Sequence, residues 1–252
     1  MMRCARVAGI SLVVPLALAL STPAGAIVNG KPVTLSDPYV HSVVGLALTD
    51  DDGLPGFCTG VLLTPRAVLT AAHCVVRTKA IRAVFDRKIG DANTVPATRS
   101  VVYPAYVYDA DKVTNDDIAV VFIPEHSYPT SIIPLDRDVN FQEGEQFVIL
   151  GYGQDVAKRF RSGGELRKAG IAASGHDTPR EVELHPLADA WPCEGDSGGP
   201  VLRKDMSGHY AVSGIMKAVY SGPIGECLFT ASFMTPIHTY ADWIAKTLAD
   251  AR

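Results

Sequence analysis

Residues 193–200 read Cys-Glu-Gly-Asp-Ser-Gly-Gly-Pro and run on into Val201-Leu202. Inside this stretch, Gly195-Asp196-Ser197-Gly198-Gly199 fits the frame Gly-x-Ser-x-Gly, which can seat a serine on a sharp turn between a strand and a helix. Pro200 and the β-rich run beyond it, through Tyr210-Ala211-Val212, oppose a helix here, so the serine turn predicts a following strand instead. Working outward, the chain repeats that character. Val61-Leu62-Leu63, Ala67-Val68-Leu69, Ile118 to Phe122 and Phe147 to Leu150 are short apolar runs bounded by Gly, Pro, Asp or Asn. Regular alternation with long helices is missing, which argues against a parallel α/β sheet. Only the C-terminus has a helical period, with Tyr240, Trp243, Ile244 and Leu248 on one face. The expected fold class is therefore all-β with a closing C-terminal α-helix.

The 252 residues supply ample material for a core, and 47% apolar with 20% charged residues excludes a disordered chain. A net charge of −4 excludes the broad basic footprint of a nucleic-acid binder. Residues 1–26 stand apart. Arg3 and Arg6 precede a mostly apolar Val7 to Leu20, broken by Ser11 and Pro15, and Ala24-Gly25-Ala26 is a small-residue cleavage signal. This reads as a secretory signal peptide in preference to an N-terminal anchor, and it leaves no membrane segment in the mature chain of residues 27–252. The expected destination is secretion, with the periplasm as the alternative where an outer membrane exists.

Of five cysteines, Cys4 leaves with that segment. Cys58, Cys74, Cys193 and Cys227 remain, an even number that suits two disulfides in an exported protein. Three pairings are open, of which sequence neighbourhood favours Cys58–Cys74 and Cys193–Cys227. A four-cysteine metal site would need close Cys-x-x-Cys pairs, which are absent, and His41, His126, His176, His185, His209 and His238 are scattered. No metal and no cofactor is expected.

Three segments concentrate chemistry: Leu69-Thr70-Ala71-Ala72-His73-Cys74, Asn115-Asp116-Asp117-Ile118-Ala119-Val120, and the serine turn. Each alone has an ordinary reading as a packed histidine, a turn aspartate or a loop serine. Together, in the order His, Asp, Ser and with Ile27-Val28-Asn29-Gly30, they resemble the trypsin/chymotrypsin family of serine proteases. Cys58-Thr59-Gly60, Gly151-Tyr152-Gly153 and Asp242-Trp243-Ile244 extend the resemblance over nearly the whole mature chain. It implies two six-stranded antiparallel barrels, one over about 27–130 and one over about 131–252, with the site in the cleft between them.

The resemblance also implies roles. Ser197 would attack the scissile carbonyl, His73 would take and return its proton, and Asp117 would hold the far imidazole nitrogen. Asp116 is the neighbouring rival; Asp117 is preferred because it directly precedes the Ile118-Ala119-Val120 strand. Gly195 and Ser197 would offer N–H groups to the oxyanion. Asp196 would pair with a new amine at Ile27, and because Ala26 closes the cleavage signal, signal peptidase itself would expose that amine. The two disulfides would brace the histidine loop and the nucleophile loop. Expected partners are protein or peptide substrates and a proteinaceous inhibitor, with no nucleic acid.

Specificity departs from the family pattern. Trp191 stands where trypsin-like members carry the Asp that selects Lys or Arg, and Asp189 is two residues too early. Lys217-Ala218-Val219 replaces Ser-Trp-Gly on the opposite wall, and Ser232 is a further wall position. Trp191 and Val219 suggest a shallow pocket for small apolar side chains. Lys217 and Glu194 could instead select a charged or hydrogen-bonding group, against the plainer reading in which Lys217 points to solvent. Two rivals complete the field. An α/β-hydrolase elbow with Asp205 and His238 following Ser197 leaves His73 unexplained, and a catalytically inert protease-fold binding protein is opposed by the intact His73, Asp117 and Ser197.

Overall fold

The computed structural model describes residues 27–90, 93–109, 114–138, 140–154, 164–219, 227 and 231–251, except the side chains of 176, 177, 218 and 219. The expected signal peptide, residues 1–26, lies outside the described residues. In chain order the strands are β1 (Lys31–Pro32), β2 (Val43–Asp50), β3 (Pro55–Thr64), β4 (Ala67–Thr70), β5 (Thr78–Val84), β6 (Thr94–Pro96), β7 (Arg99–Val102) and β8 (Ala119–Phe122). There follow β9 (Gln146–Gly151), β10 (Arg167–Thr178), β11 (Glu181–Pro186), β12 (Pro200–Lys204), β13 (Tyr210–Val219), β14 (Ser232–Pro236) and helix α1 (Ala241–Ala249).

All pairings between these strands are antiparallel and fall into two sheets. The C-terminal one runs β10-β11-β14-β13-β12-β9 and closes through β10–β9, a six-stranded barrel with β1 appended to β10. The N-terminal one runs β6-β5-β2-β3-β4-β8-β7 and forms a half-barrel. This is the trypsin-like, all-β fold with one short C-terminal helix.

The apolar runs lack polar alternation because both strand faces are buried. In β8, Ala119 and Val121 point into the half-barrel core with Val44, Leu46, Leu62 and Val68, while Val120 and Phe122 join the layer between the sheets. β12 repeats this on the other side: Val201 lies inside the barrel with Ile149, Val182 and Met234, and Leu202 enters the shared layer. Each such Val, Leu, Ile, Phe or Met side chain is worth roughly 1.5–3 kcal/mol of burial. The shared layer holds the two halves, and therefore their cleft, in fixed relation. Helix α1 covers one edge of it with Ile244, and Asp242 in its first turn and Lys246 in its last complement its dipole.

Candidate active site

His73 sits in a short 3-10 turn, Ala72–Cys74, after β4, and Asp117 lies just before β8. Because β4 and β8 pair directly, with Thr70 opposite Ala119, the register brings the two residues together. Asp117 accepts twice from His73: the backbone N–H reaches Oδ1 at 2.9 Å and Nδ1 lies 2.6 Å from Oδ2. The carboxylate is only 4% exposed. A carboxylate at Nδ1 assigns the proton to that nitrogen and leaves Nε2 as the acceptor. Asp116, the sequence rival, is turned the other way. It has φ +61° and meets the Tyr240 hydroxyl at 2.9 Å and Arg180 at 3.0 Å.

Ser197 is on the opposite wall. Its carbonyl accepts from Thr59 N–H at 2.9 Å, and the Gly198 N–H donates to the Met216 carbonyl at 2.7 Å, so the turn is bolted to β3 and β13. Ser197 and His73 line one cavity of about 460 Å³, with Gly195, Glu194 and Tyr108 also on its wall. No described hydrogen bond joins Ser197 Oγ to His73 Nε2, a contact that commonly tightens only with substrate bound. Gly195 has φ +93°, and a Cβ there would fall 2.2 Å from the Phe57 ring, so only glycine fits. Its carbonyl accepts from the Thr59 hydroxyl at 2.8 Å, and Thr59 Oγ1 in turn accepts from Tyr152 N–H at 3.0 Å. Sequence reasoning misses Thr59: nothing local in Cys58-Thr59-Gly60 points to a loop 136 residues away.

Asp196 is fully buried and accepts from Gly153 N–H and Cys193 N–H, each at 2.8 Å, and from the backbone N–H of Ile27. Burial pushes its carboxyl up to about 7 despite these donors. Ile27 itself is completely buried, packed in the barrel core with Phe147 and Ile149. A Cβ on Gly153 would lie 2.5 Å from the Asp196 carboxyl carbon, so the glycine turn exists to let the carboxylate in.

The disulfides are Cys58–Cys74 and Cys193–Cys227, with Cα separations of 6.2 and 5.3 Å. Cys58, His73 and Cys74 come close enough to suggest a metal site, but both sulfurs are bonded to each other and supply no thiolate.

The wall residues fall into different places. Trp191 is partly buried against Val28, Cys193 and Cys227, and its backbone pairs with Val28. Asp189 is exposed and lines a cavity with Lys168 and Tyr39, apart from the one that Ser197 and His73 line. Glu194 is exposed at the cleft mouth and accepts from Gln154 Nε2 at 2.6 Å. Ser232 is fully buried in β14, opposite Val219, and its Oγ has no partner among the described residues. The Val219 side chain lies outside the described ones. Lys217 corrects both readings of it. It is the unpaired residue of a β-bulge between Met216 and Ala218, and the bulge aims its side chain inward, fully buried, to Glu181. It neither faces solvent nor offers a free charge to a substrate.

The chain matches the family model described as Trypsin over residues 27–244. It is 30% identical over 193 residues to a trypsin of Saccharopolyspora erythraea, covering 70% of this chain and 81% of that one. A chymotrypsin of Phaedon cochleariae is 26% identical, covering 88% and 82%. Among solved structures, HL collagenase superposes with a TM-score of 0.70 at 21% identity, covering 88% and 99%. Neuropsin of mouse brain gives 0.68 at 22%, covering 88% and 100%. The protein belongs to the trypsin family and is a serine endopeptidase.

Proposed function

We propose that Ser197 attacks the scissile carbonyl, that His73 Nε2 takes its proton and delivers it to the leaving amine, and that Asp117 stabilises the imidazolium between those steps. The observation carrying this reading is the 2.6 Å His73–Asp117 bond on the wall of the cavity that Ser197 also lines. Ser197 forms an acyl ester, the amine half leaves protonated, and water then repeats the sequence to release the acid. The N–H groups of Gly195 and Ser197 receive the oxyanion, each such donor being worth about 2.7–4 kcal/mol.

The substrates are proteins or peptides cut after small apolar residues, not after Lys or Arg. The exposed Asp189, lining a different cavity, and the bulky Trp191 support this. The chain is exported, and signal peptidase cleavage after Ala26 frees the Ile27 amine for Asp196. The strained φ of Ile27, +51° in a β-branched residue, supports cutting there, because a chain that begins at Ile27 has no such torsion to hold.

The test is cleavage of a peptide library by the exported protein beside Ser197→Ala, with phosphonate labelling of Ser197 and N-terminal sequencing. Cleavage after small aliphatic residues, lost in the variant, is the expected result. A correctly processed Ile27 form that neither cleaves nor labels would leave the protein a binding module.

A further inference from the structure

Asp116 and Asp117 are consecutive, yet one faces His73 and the other faces away. The difference is made by a turn of opposite hand. Asp116 has φ +61°, a left-handed conformation that few residues other than glycine adopt and that Asp tolerates better than most when its carboxylate is hydrogen-bonded. The Ile118 N–H closes back onto the Asp116 carbonyl at 2.9 Å, which completes the turn and sends the next carboxylate toward His73.

The groups holding Asp116 come from the C-terminal half of the molecule. Its carboxylate is buried and bound on both oxygens, by the Tyr240 hydroxyl at 2.9 Å and by Arg180 Nη1 at 3.0 Å. Arg180 is itself half exposed, and an exposed arginine would ordinarily be a weak, mobile partner. Here its backbone is pinned from two sides. The adjacent Glu181 is paired with the fully buried Lys217 of β13, and the carbonyl of Pro179, on the other side, accepts from Thr239 ahead of α1. The guanidinium is thus delivered to Asp116 with its main chain already fixed. Thr235 adds a third tie from this half, donating to the Asp117 carbonyl at 3.2 Å. The buried Lys217 ammonium therefore serves to anchor the Arg180–Glu181 turn.

We propose that Asp116 is a positioning residue, gripped by Arg180 and Tyr240 so that its left-handed turn aims Asp117 at His73. The turn between β10 and β11 of the barrel thereby sets the geometry of an acid–base pair that belongs to the half-barrel. This rests on the reading of His73 and Asp117 as the general base and its partner.

The test compares Asp116→Ala, Arg180→Met, Arg180→Lys and Tyr240→Phe with the parent. Two readouts are used: steady-state cleavage of the best library peptide, and the downfield proton resonance of the His73 Nδ1–H bonded to Asp117. Asp116→Ala is expected to lower kcat on the order of 100-fold with KM nearly unchanged, as a misplaced catalytic group does. Its downfield resonance shifts or vanishes. Arg180→Met, at a half-exposed site that leaves the core untouched, loses about tenfold in kcat, and Arg180→Lys recovers part of it. Should Asp116→Ala fail to fold, Arg180→Met and Tyr240→Phe carry the test. Variants with lowered Tm but unchanged kcat and an unchanged resonance would overturn the proposal, reducing Asp116 to a structural tie. The resonance needs no turnover, so an inert parent protein would sink the protease mechanism while the positioning claim is still decided by NMR.

Discussion

At Gly195 a single hydrogen separates a working turn from a blocked one. An alanine Cβ would meet Phe57 at 2.2 Å and the Gly153 Cα at 2.9 Å, on a backbone with φ +93° that disfavours any side chain. Gly195→Ala is expected to swing the peptide and withdraw one oxyanion donor, lowering kcat on the order of 10²–10³-fold. Steady-state kinetics on the best library peptide checks it; a kcat within twofold of the parent would mean that Gly195 N–H is not a donor. Ser232 gives the opposite case. Its buried Oγ has no partner among the described residues, so Ser232→Ala removes an unpaired polar atom and is expected to leave stability unchanged or raise it by about 1 kcal/mol. Urea denaturation reads this directly, and a clear loss of stability in the variant would mean that the hydroxyl has a partner after all. The sequence distinguishes Asp117 from Asp116 only by its place before a strand. The reason for that placement, the left-handed turn and its grip, involves Arg180 and Tyr240, which lie 64 and 124 residues away and leave no local mark.

The elements show the same division between local and distant causes. β4, β8, β9 and β12 are legible because their apolar runs are buried on both faces. β10, written Arg-Lys-Ala-Gly-Ile-Ala-Ala-Ser-Gly-His-Asp-Thr, carries little β-branched character, and its strand state is imposed by pairing with β9 and β11. Lys217 defeats a local reading because a bulge reverses the face that a simple alternation assigns. Its pair with Glu181 makes an asymmetric prediction. Lys217→Met exchanges a buried ion for an apolar chain of similar size and is expected to be nearly neutral in stability, whereas Glu181→Ala strands the ammonium and costs about 3–5 kcal/mol. Equal losses in the two variants, measured by urea unfolding, would contradict this account. Thr59 links β3 to the nucleophile loop in a comparable way. Thr59→Val keeps the shape but leaves the Gly195 carbonyl and the Tyr152 N–H without their partner, at about 1–3 kcal/mol for each group. Thr59→Ser should restore most of that stability, and a valine variant as stable as the parent would rule the link out.

For the whole molecule, the state of the N-terminus decides how stability depends on pH. With the 26–27 peptide bond intact, Ile27 offers Asp196 an amide N–H and no charge, and the buried carboxyl titrates at about 7 against 3.8 in the unfolded chain. The folded state then holds the proton more tightly than the unfolded state between those values. The contribution of Asp196 to stability is fully present below about pH 4 and falls as pH rises toward 7, by roughly 1.4 kcal/mol per unit. Cutting the bond places an ammonium against the carboxylate, favours its ionised form and removes that slope. The loss moves to alkaline pH, where the α-amine gives up its proton. Apart from the terminal amine of the longer chain, every other titrating group is common to both forms, so below pH 7, where both amines stay protonated, the difference between their curves isolates this one pair. A chain retaining Gly25-Ala26 and a chain beginning at Ile27 should therefore have similar Tm values near pH 4. They should diverge progressively to pH 7, with the Ile27 form the more stable, and converge again above about pH 9. Calorimetry across that range provides the check. Parallel curves from pH 4 to 7 would mean that Asp196 never meets the Ile27 amine, and the processing that exposes it would then have no mechanical consequence for the site.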